Sequence, residues 1–494
     1  MKEESSLLFL HGGNLPFNIP IHCFYAYVTC LFICRIKFYT PLIFSNMRIL
    51  LVFPKLEHGV TTYRDRGTPF AVLFGNPSLS LPQVAACTPP GHEVRILNEN
   101  FEKIDFDEKW DLVGITCLTM TAPRAYKIAD EFRQRGVKVV LGGYHPTALP
   151  EEAKEHADAV VIGEAEEVWA EVVRDAEKGK LKKFYYGAHA DMEKVPIPRR
   201  DLVKYKPLTE GIQTSRGCPN ACEFCATSVF LGRRLRRRPI PHVVNEMKQI
   251  PNKVIIFRDA SLTLNPKYSM ELFRAIKPLK KKWIANGNIN LLGKNEKFLK
   301  AAKEAGCIAW FVGFESINPA SLKEAHKVSN KAEEYAEAVK TVRKHGMGVI
   351  GGFIFGFDND TPEIFDSTLE AVLSWEIDSA EFNILTPYPG TPLYDRLDKE
   401  GRILTKDWTK YTQAHVVYQP KNMTPKELLE GTKKVIKGFY SANEMVRRIL
   451  RSLNLHKFAP YALSLPTINI AMRRYYWREF FNGKDEEKLP PYKS

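Results

Sequence analysis

Residues 216–226 read RGCPNACEFCA, which places Cys218, Cys222 and Cys225 at C-x3-C-x2-C spacing with no fourth cysteine nearby. A structural zinc site wants four protein ligands in a tetrahedron. The nearest histidine, His242, stands 17 residues beyond Cys225, so zinc would need a distant partner. Three thiolates on one short loop suit another occupant, a [4Fe–4S] cluster with one iron left open for a substrate or cofactor. Half a zinc site, or three coincidental thiols, are the other readings the spacing allows.

The rest of the chain bounds these readings. At 494 residues it should hold two or three domains. An apolar fraction of 44% with 26% charged residues excludes a disordered chain. The net charge of +14 suits an anionic partner such as nucleic acid, a phosphorylated substrate or an anionic membrane surface. Nine scattered cysteines do not form a secreted disulfide framework, so a reducing, cytoplasmic setting is expected. Residues 17–34 (FNIPIHCFYAYVTCLFIC) lack Asp, Glu, Lys and Arg over a span just long enough to cross a membrane. They also carry Pro20 and His22, and Met47 opens a strand-like MRILLVF. Residues 1–46 are therefore read as an extension, either upstream of the true start or a membrane segment.

Outward from the cysteines, β-branched runs alternate with amphipathic helical windows, the pattern of parallel α/β sheets. Before the loop come MRILLVF (47–53), EVRILN (93–98), DLVGITC (111–117), KVVLGG (138–143) and AVVIGE (159–164). The helical window 124–136 ends at Gly136, as a C-cap would. A Lys- and Pro-rich stretch, 181–207, breaks the series. A second series follows: GIQTSRG (211–217), KVIIFRDAS (253–261), WIANGNIN (283–290), AWFVGFESIN (309–318), GVIGGFIFGF (348–357) and SAEFNIL (379–385). Six strand–helix units suggest a full or partial barrel. Asn330 and Glu333 stand at capping-box spacing for a helix over 330–346. Beyond 420 the chain is helical and basic, ending in INIAMRRYYWREFF (468–481). The expected organisation is an extension (1–46), a Rossmann-like domain (47–185), a linker (186–206), a partial (β/α)6 barrel (207–400) and a helical C-terminal extension (401–494).

RGCPNACEFC resembles the C-x3-C-x-aromatic-C signature of radical S-adenosylmethionine (radical SAM) enzymes, with Phe224 at the aromatic position. The resemblance runs through 205–400 and implies that Cys218, Cys222 and Cys225 ligate a [4Fe–4S] cluster. S-adenosylmethionine would chelate the open iron and yield a 5′-deoxyadenosyl radical. FRDASLTLNP (257–266) implies Asp259 at a substrate- or cofactor-facing strand end, with a helix N-cap as its other reading. GFES (313–316) implies Gly313 and Glu315 as S-adenosylmethionine contacts, NGNIN (286–290) offers Asn288, and GGFIFGF (351–357) resembles the strand along the adenosine.

VGITCLTMT (113–121), GVKVVLGGYHPTALPEEA (136–153) and ADAVVIGEAEEV (157–168) resemble the cobalamin-binding domain that precedes the barrel in one radical SAM subclass. By that similarity Thr116, Thr121, Gly142, Gly143, Thr147 and Gly163 would approach cobalamin. The D-x-H-x-x-G motif that supplies a lower cobalt ligand is absent, since His58 lacks the preceding Asp. The segments 386–404 and 407–428 resemble the C-terminal extension of hopanoid and chlorophyll-pathway methylases and archaeal lipid-modifying enzymes, which act on large apolar skeletons. The resemblance implies cobalamin-dependent C-methylation of an unactivated carbon in a lipid, isoprenoid or tetrapyrrole, served by a ferredoxin or flavodoxin. Radical cyclisation or C–C coupling without methyl transfer is the alternative, and a structural nucleic-acid-binding Fe–S or zinc protein the remote one. The basic aromatic tail suits either a peripheral membrane contact or packing onto the barrel. GRRLRRRP (232–239) reads as a helix start, a substrate-carboxylate element, or a nucleic-acid or anion patch.

Overall fold

The computed structural model describes residues 46–56, 79–206, 208–456 and 460–481, leaving aside the side chains of 452–467. The apolar stretch 17–34 and His58 lie outside the described residues. The chain divides between Asn46 and Met47, and Met47–Ser494 forms one compact unit.

The first half of that unit is a six-stranded, all-parallel sheet. Its strands are β1 (Arg48–Phe53), β2 (Glu93–Asn98), β3 (Leu112–Thr116), β4 (Lys138–Gly142), β5 (Ala159–Gly163) and β6 (Phe184–Gly187), in the order β2-β1-β3-β4-β5-β6. Alternate residues of the apolar runs feed two cores: Leu50, Val52, Val113 and Ile115 on one face, Ile49, Leu51 and Leu112 on the other. Burial on both faces is why these strands read as continuous apolar runs. The order reverses between β1 and β3, the place where such sheets bind ligands at their carboxyl ends. β6 lies inside the Lys- and Pro-rich stretch that reads as a break, so the sheet runs further than the apolar pattern shows.

The second half is another six-stranded parallel sheet: β7 (Thr209–Ile212), β10 (Val254–Phe257), β11 (Lys282–Gly287), β12 (Cys307–Glu315), β13 (Gly348–Phe355) and β14 (Ser379–Ile384). Its order is sequential, and β7 and β14 do not pair, so the barrel is partial. Phe353, Phe355 and Phe382 face outward into the helical layer, with Phe382 against Phe439 at 5.4 Å between ring centres. Strand alternation therefore turns Gly352, Ile354, Glu381 and Asn383 inward to the lumen. The short pair β8 (Ser215–Arg216) and β9 (Arg236–Arg237), antiparallel, lies between β7 and β10 in sequence.

The C-terminal region covers the open edge at β14. The Tyr440 hydroxyl donates to Ala380 O (2.6 Å) and accepts from Ala380 N (3.3 Å). The Tyr476 hydroxyl accepts from Phe382 N (2.6 Å), and Ile384 N donates to Gln413 O (2.8 Å). Ile468 packs with Ile308 and Ala309 at the start of β12. Tyr476 and Phe480 are buried in the barrel core, and Tyr475, Trp477 and Phe481, half-buried, pack against it. Among the described residues no helix is long and apolar enough to cross a membrane. The helix near 330 starts only at Tyr335, after a 3-10 turn over Ala332–Glu334. Asn330 is not its cap; its side chain donates to Gly313 O (2.8 Å) and Phe314 O (3.1 Å).

Candidate active site

The cysteine loop hangs between β8 and β9. Gly217 opens it at φ +85°, and a Cβ there would collide with Arg234 O, so glycine is required. Cys218 N donates to Gly232 O (3.0 Å), closing the loop, and Cys225 N donates to Cys222 O (3.1 Å). Phe224 meets Phe357 edge-on at 6.1 Å between ring centres, anchoring the loop to the segment after β13. Glu223, buried, binds Arg396 (2.7 Å), and its backbone is held by Ala325 O (3.3 Å) and Leu393 N (3.1 Å).

Burial raises the Cys218 thiol and pushes the Cys222 thiol up to about 11, against the pull of the Lys327 ammonium. Without metal such thiols stay protonated, and a bound metal deprotonates its thiols outright. Among the described residues no three His, Cys, Asp or Glu side chains converge on a single ion.

Beside the loop, the end of β12 carries a bulge between Gly313 and Glu315, and Glu315 sits in the left-handed region at φ +64°. A non-glycine residue held there is a strained element typical of functional sites. Its carboxylate folds back over Gly313, where a Cβ would collide with it. Lys327 donates to Glu315 Oε1 (2.8 Å). Burial opposes the Lys327 charge, but Glu315 outweighs it and holds the ammonium protonated. Asn288 caps the helix Ile289–Lys294 through Leu291 N (3.2 Å) and donates to Asn330 Oδ1 (2.9 Å), two bonds away from Gly313 O. Asp259 is fully buried and accepts from the Thr214 hydroxyl (2.7 Å) and the Ser215 hydroxyl (2.6 Å). It thus pins the chain entering the cysteine loop, and it caps no helix; Ser261 and Asn265 do that.

The carboxyl ends of the first sheet border a cavity of about 560 Å³. Thr116, Gly142, Gly143 and Gly163 line it, as do Glu164 and Arg216. A Cβ on Gly142 would meet only Val161 at an ordinary 3.6 Å, so no neighbour demands glycine; its missing side chain leaves room in the cavity. Gly143 (φ +101°) and Gly163 (φ +88°) are required by the backbone itself. Thr147 stands behind the wall, donating to Gly143 O (2.7 Å) and accepting from Gly163 N (2.9 Å). Thr121 likewise is not in the wall; its hydroxyl accepts from Leu118 N (3.0 Å). A glycine-floored, mostly apolar hollow at a sheet's switch point fits a large flat cofactor.

A second, apolar pocket of about 280 Å³ adjoins this one, lined by Leu118, Met120, Tyr144, Phe230, Leu231 and Tyr388. Tyr144 belongs to both hollows and meets Phe230 (6.1 Å) and Tyr388 (6.4 Å) edge-on. Inside the barrel, Gly313, Gly352 and Glu381 stand side by side on β12, β13 and β14. The arginines of 232–239 divide: Arg236 binds Glu164 and Arg238 binds Glu246 (2.5 Å), whereas Arg233 and Arg234 are exposed. Sequence reasoning passed over Lys327, Glu223, Arg216, Tyr144 and Glu381. Arg216 and Glu223 stand inside the cysteine motif and Tyr144 beside Gly143, so adjacency was their available signal; Lys327 and Glu381 had none.

Comparison with known proteins agrees with this geometry. Residues 212–372 match the radical SAM superfamily, 74–173 the B12 binding domain, and 391–482 a domain of unknown function, DUF4070. Bacteriochlorophyllide d C-12(1)-methyltransferase of Chlorobaculum tepidum is 33% identical over 421 residues, 82% of this chain and 90% of that protein. Hopanoid C-2 methylase of Rhodopseudomonas palustris is 28% identical, across 74% of this chain and 72% of that protein. The fold is that of the radical S-adenosylmethionine methyltransferase TsrM of Kitasatospora setae with cobalamin and [4Fe–4S] cluster bound (TM-score 0.61, 17% identity, 88% of this chain and 100% of that one). The chain belongs to the radical SAM superfamily, in the branch whose barrel follows a B12-binding domain and which includes the bacteriochlorophyllide and hopanoid methylases.

Proposed function

We propose that this protein methylates an unactivated carbon of a large apolar molecule, a tetrapyrrole or an isoprenoid lipid. The observation that carries the reading is the shared wall: Arg216, two residues before Cys218, lines the same cavity as Gly142, Gly143 and Gly163. When bound, the cluster with S-adenosylmethionine supplies a 5′-deoxyadenosyl radical, and cobalamin supplies the methyl group. Cys218, Cys222 and Cys225 would hold the cluster, and Glu315 with Lys327 offers paired charges to the amino and carboxylate groups of S-adenosylmethionine. The glycine-floored cavity would hold cobalamin. Leu118, Met120, Phe230 and Tyr388 form an apolar, aromatic wall for the substrate, and Tyr144 lines both this pocket and the glycine-floored cavity. Their burial of the substrate holds it in place and keeps solvent from the reacting carbon. Exposed Arg233 and Arg234, in the bend before β9, offer positive charge to an acidic donor of the ferredoxin or flavodoxin type.

Anaerobic reconstitution tests this. The expected result is four irons per chain, a corrinoid absorption band, and gain of one CH2 by bacteriochlorophyllide d or a hopanoid in the presence of S-adenosylmethionine and a reductant. If the C218A/C222A/C225A chain still cleaves S-adenosylmethionine, the assignment is wrong.

A further inference from the structure

The cysteine loop has an unusual base. Arg216 on β8 and Arg236 on β9 are directly opposed in an antiparallel pair only two residues long. Like charges placed opposite each other repel and destabilise a ladder. What offsets the repulsion comes from the other domain: Glu164, the residue after β5.

Glu164 is only 4% exposed, and both arginines converge on it. Arg216 Nη1 donates to Glu164 Oε2 (2.6 Å), Arg236 Nη1 donates to the same oxygen (3.1 Å), and Arg236 Nη2 donates to Oε1. Ala190 N donates to Oε2 (3.3 Å), and His189 Nδ1 lies 3.3 Å from Oε1. Arg216 is further held by Glu166 (2.5 Å). Arg236 also donates to Ala190 O (2.8 Å) and to Leu231 O (3.0 Å). The two arginines bracket the loop: Cys218 follows Arg216 by two residues, and Gly232, whose carbonyl receives Cys218 N, precedes Arg236 by four. Glu164 and Arg216 are at the same time part of the cavity wall, on the floor of which Gly142 leaves room for a flat ligand.

We propose that Glu164 couples the two cofactor sites. A ligand seated on the cavity wall packs against Arg216 and Glu164, fixes their side chains and so holds in place the ion pairs that clamp both ends of the cysteine loop. Filling the cavity therefore tightens the hold on the cluster, and by thermodynamic linkage a loaded cluster tightens the hold on the corrinoid by the same factor. The proposal rests on the family reading above, since it needs both cofactors, but it assigns a role to residues that touch neither reacting group. Glu164 is a positioning residue.

The test uses the full chain, its reconstituted cluster and hydroxocobalamin. Two ratios are measured: iron loss to a chelator with and without saturating hydroxocobalamin, and hydroxocobalamin affinity with and without the cluster. In the wild type the affinity ratio should be about tenfold, and iron loss should slow several-fold in the same direction. In E164Q both should fall to near one, although hydroxocobalamin still binds at saturation, as its absorption band reports. A general loss of stability would change the rates and leave the ratios unmoved. Should E164Q fail to load iron, R236K keeps the charge but loses the two-pronged bridge, and its ratios should fall to about a third of the wild-type value. Ratios of one in the wild type, or wild-type ratios in E164Q or R236K, would overturn the proposal. A wild type with no corrinoid band would overturn the cobalamin reading as well, and the spectrum distinguishes that outcome from simple decoupling.

Discussion

Glu381 shows what a single residue gains from its position. It points from β14 into the lumen, and the two neighbouring positions across β13 and β12 are Gly352 and Gly313. Among the described residues no hydrogen bond or ion pair engages its carboxylate, and burial pushes the group up to about 7. The sign of the consequence follows. A carboxyl whose folded value is raised keeps its proton more tightly when folded, so its stabilising effect is greatest below about 4.5 and is lost as pH rises through about 7. Asp360, raised by burial to about 6, acts in the same direction, so the difference between variants isolates Glu381. E381Q should therefore be more stable than wild type toward denaturant at pH 8 and indistinguishable from it near pH 4.5. An equal gain at both pH values would show that the charge is not what matters. Neither Glu381 nor Lys327 announced itself in the sequence, because each depends on register: one faces a lumen rather than a core, the other crosses to Glu315 from a loop twelve residues on. The cysteines were legible because a loop ligand set is contiguous in sequence.

At the scale of the element, the informative strand is β14. An uncovered edge in a parallel sheet exposes backbone donors and acceptors to pairing with other chains. Here Tyr440 and Tyr476 each present a hydroxyl to one edge residue, from helices more than 50 residues downstream. This gives the DUF4070 region a physical role: it covers the edge that the partial barrel leaves open. Y440F and Y476F remove one hydroxyl each and should cost roughly 1–3 kcal/mol apiece by stranding buried backbone groups. Equilibrium denaturation measures this, and a neutral Y476F would mean that water or a neighbour replaces the hydroxyl. The strands were readable from their β-branched runs, and Gly136 correctly closed its helix, which ends at Gln134. The edge cover was not, since tyrosine beside arginine has the same composition whether it faces lipid headgroups or a strand. β6 escaped for a related reason: FYYG, amid lysines and prolines, has no apolar run and is a strand only because β5 offers it an edge.

Across the whole molecule, the C-terminal region ties together two sheets that could otherwise fold apart. Tyr411, Val417 and Trp408 enter the core of the first domain, whereas Phe439, Tyr440 and Tyr476 enter that of the barrel. The tie at the first domain is polar as well as apolar: Trp408 Nε1 donates to Glu152 (3.0 Å), which also accepts from the Tyr126 hydroxyl (2.9 Å) and faces the buried His145 (3.1 Å). At the barrel, Arg396 holds Glu223 of the cysteine loop and Asp358 (2.7 Å each). A shared segment that packs into both cores makes each half part of the other's folded state, so the wild type should unfold in a single calorimetric transition. W408A removes a buried indole from one core and leaves the other intact, at a cost of about 3–5 kcal/mol. It should resolve the first domain as a separate, lower-temperature transition, while the barrel keeps the wild-type midpoint and its irons. Two transitions already present in the wild type would mean that the C-terminal region decorates both halves without joining them, and the alignment of the cofactor sites would then need another source.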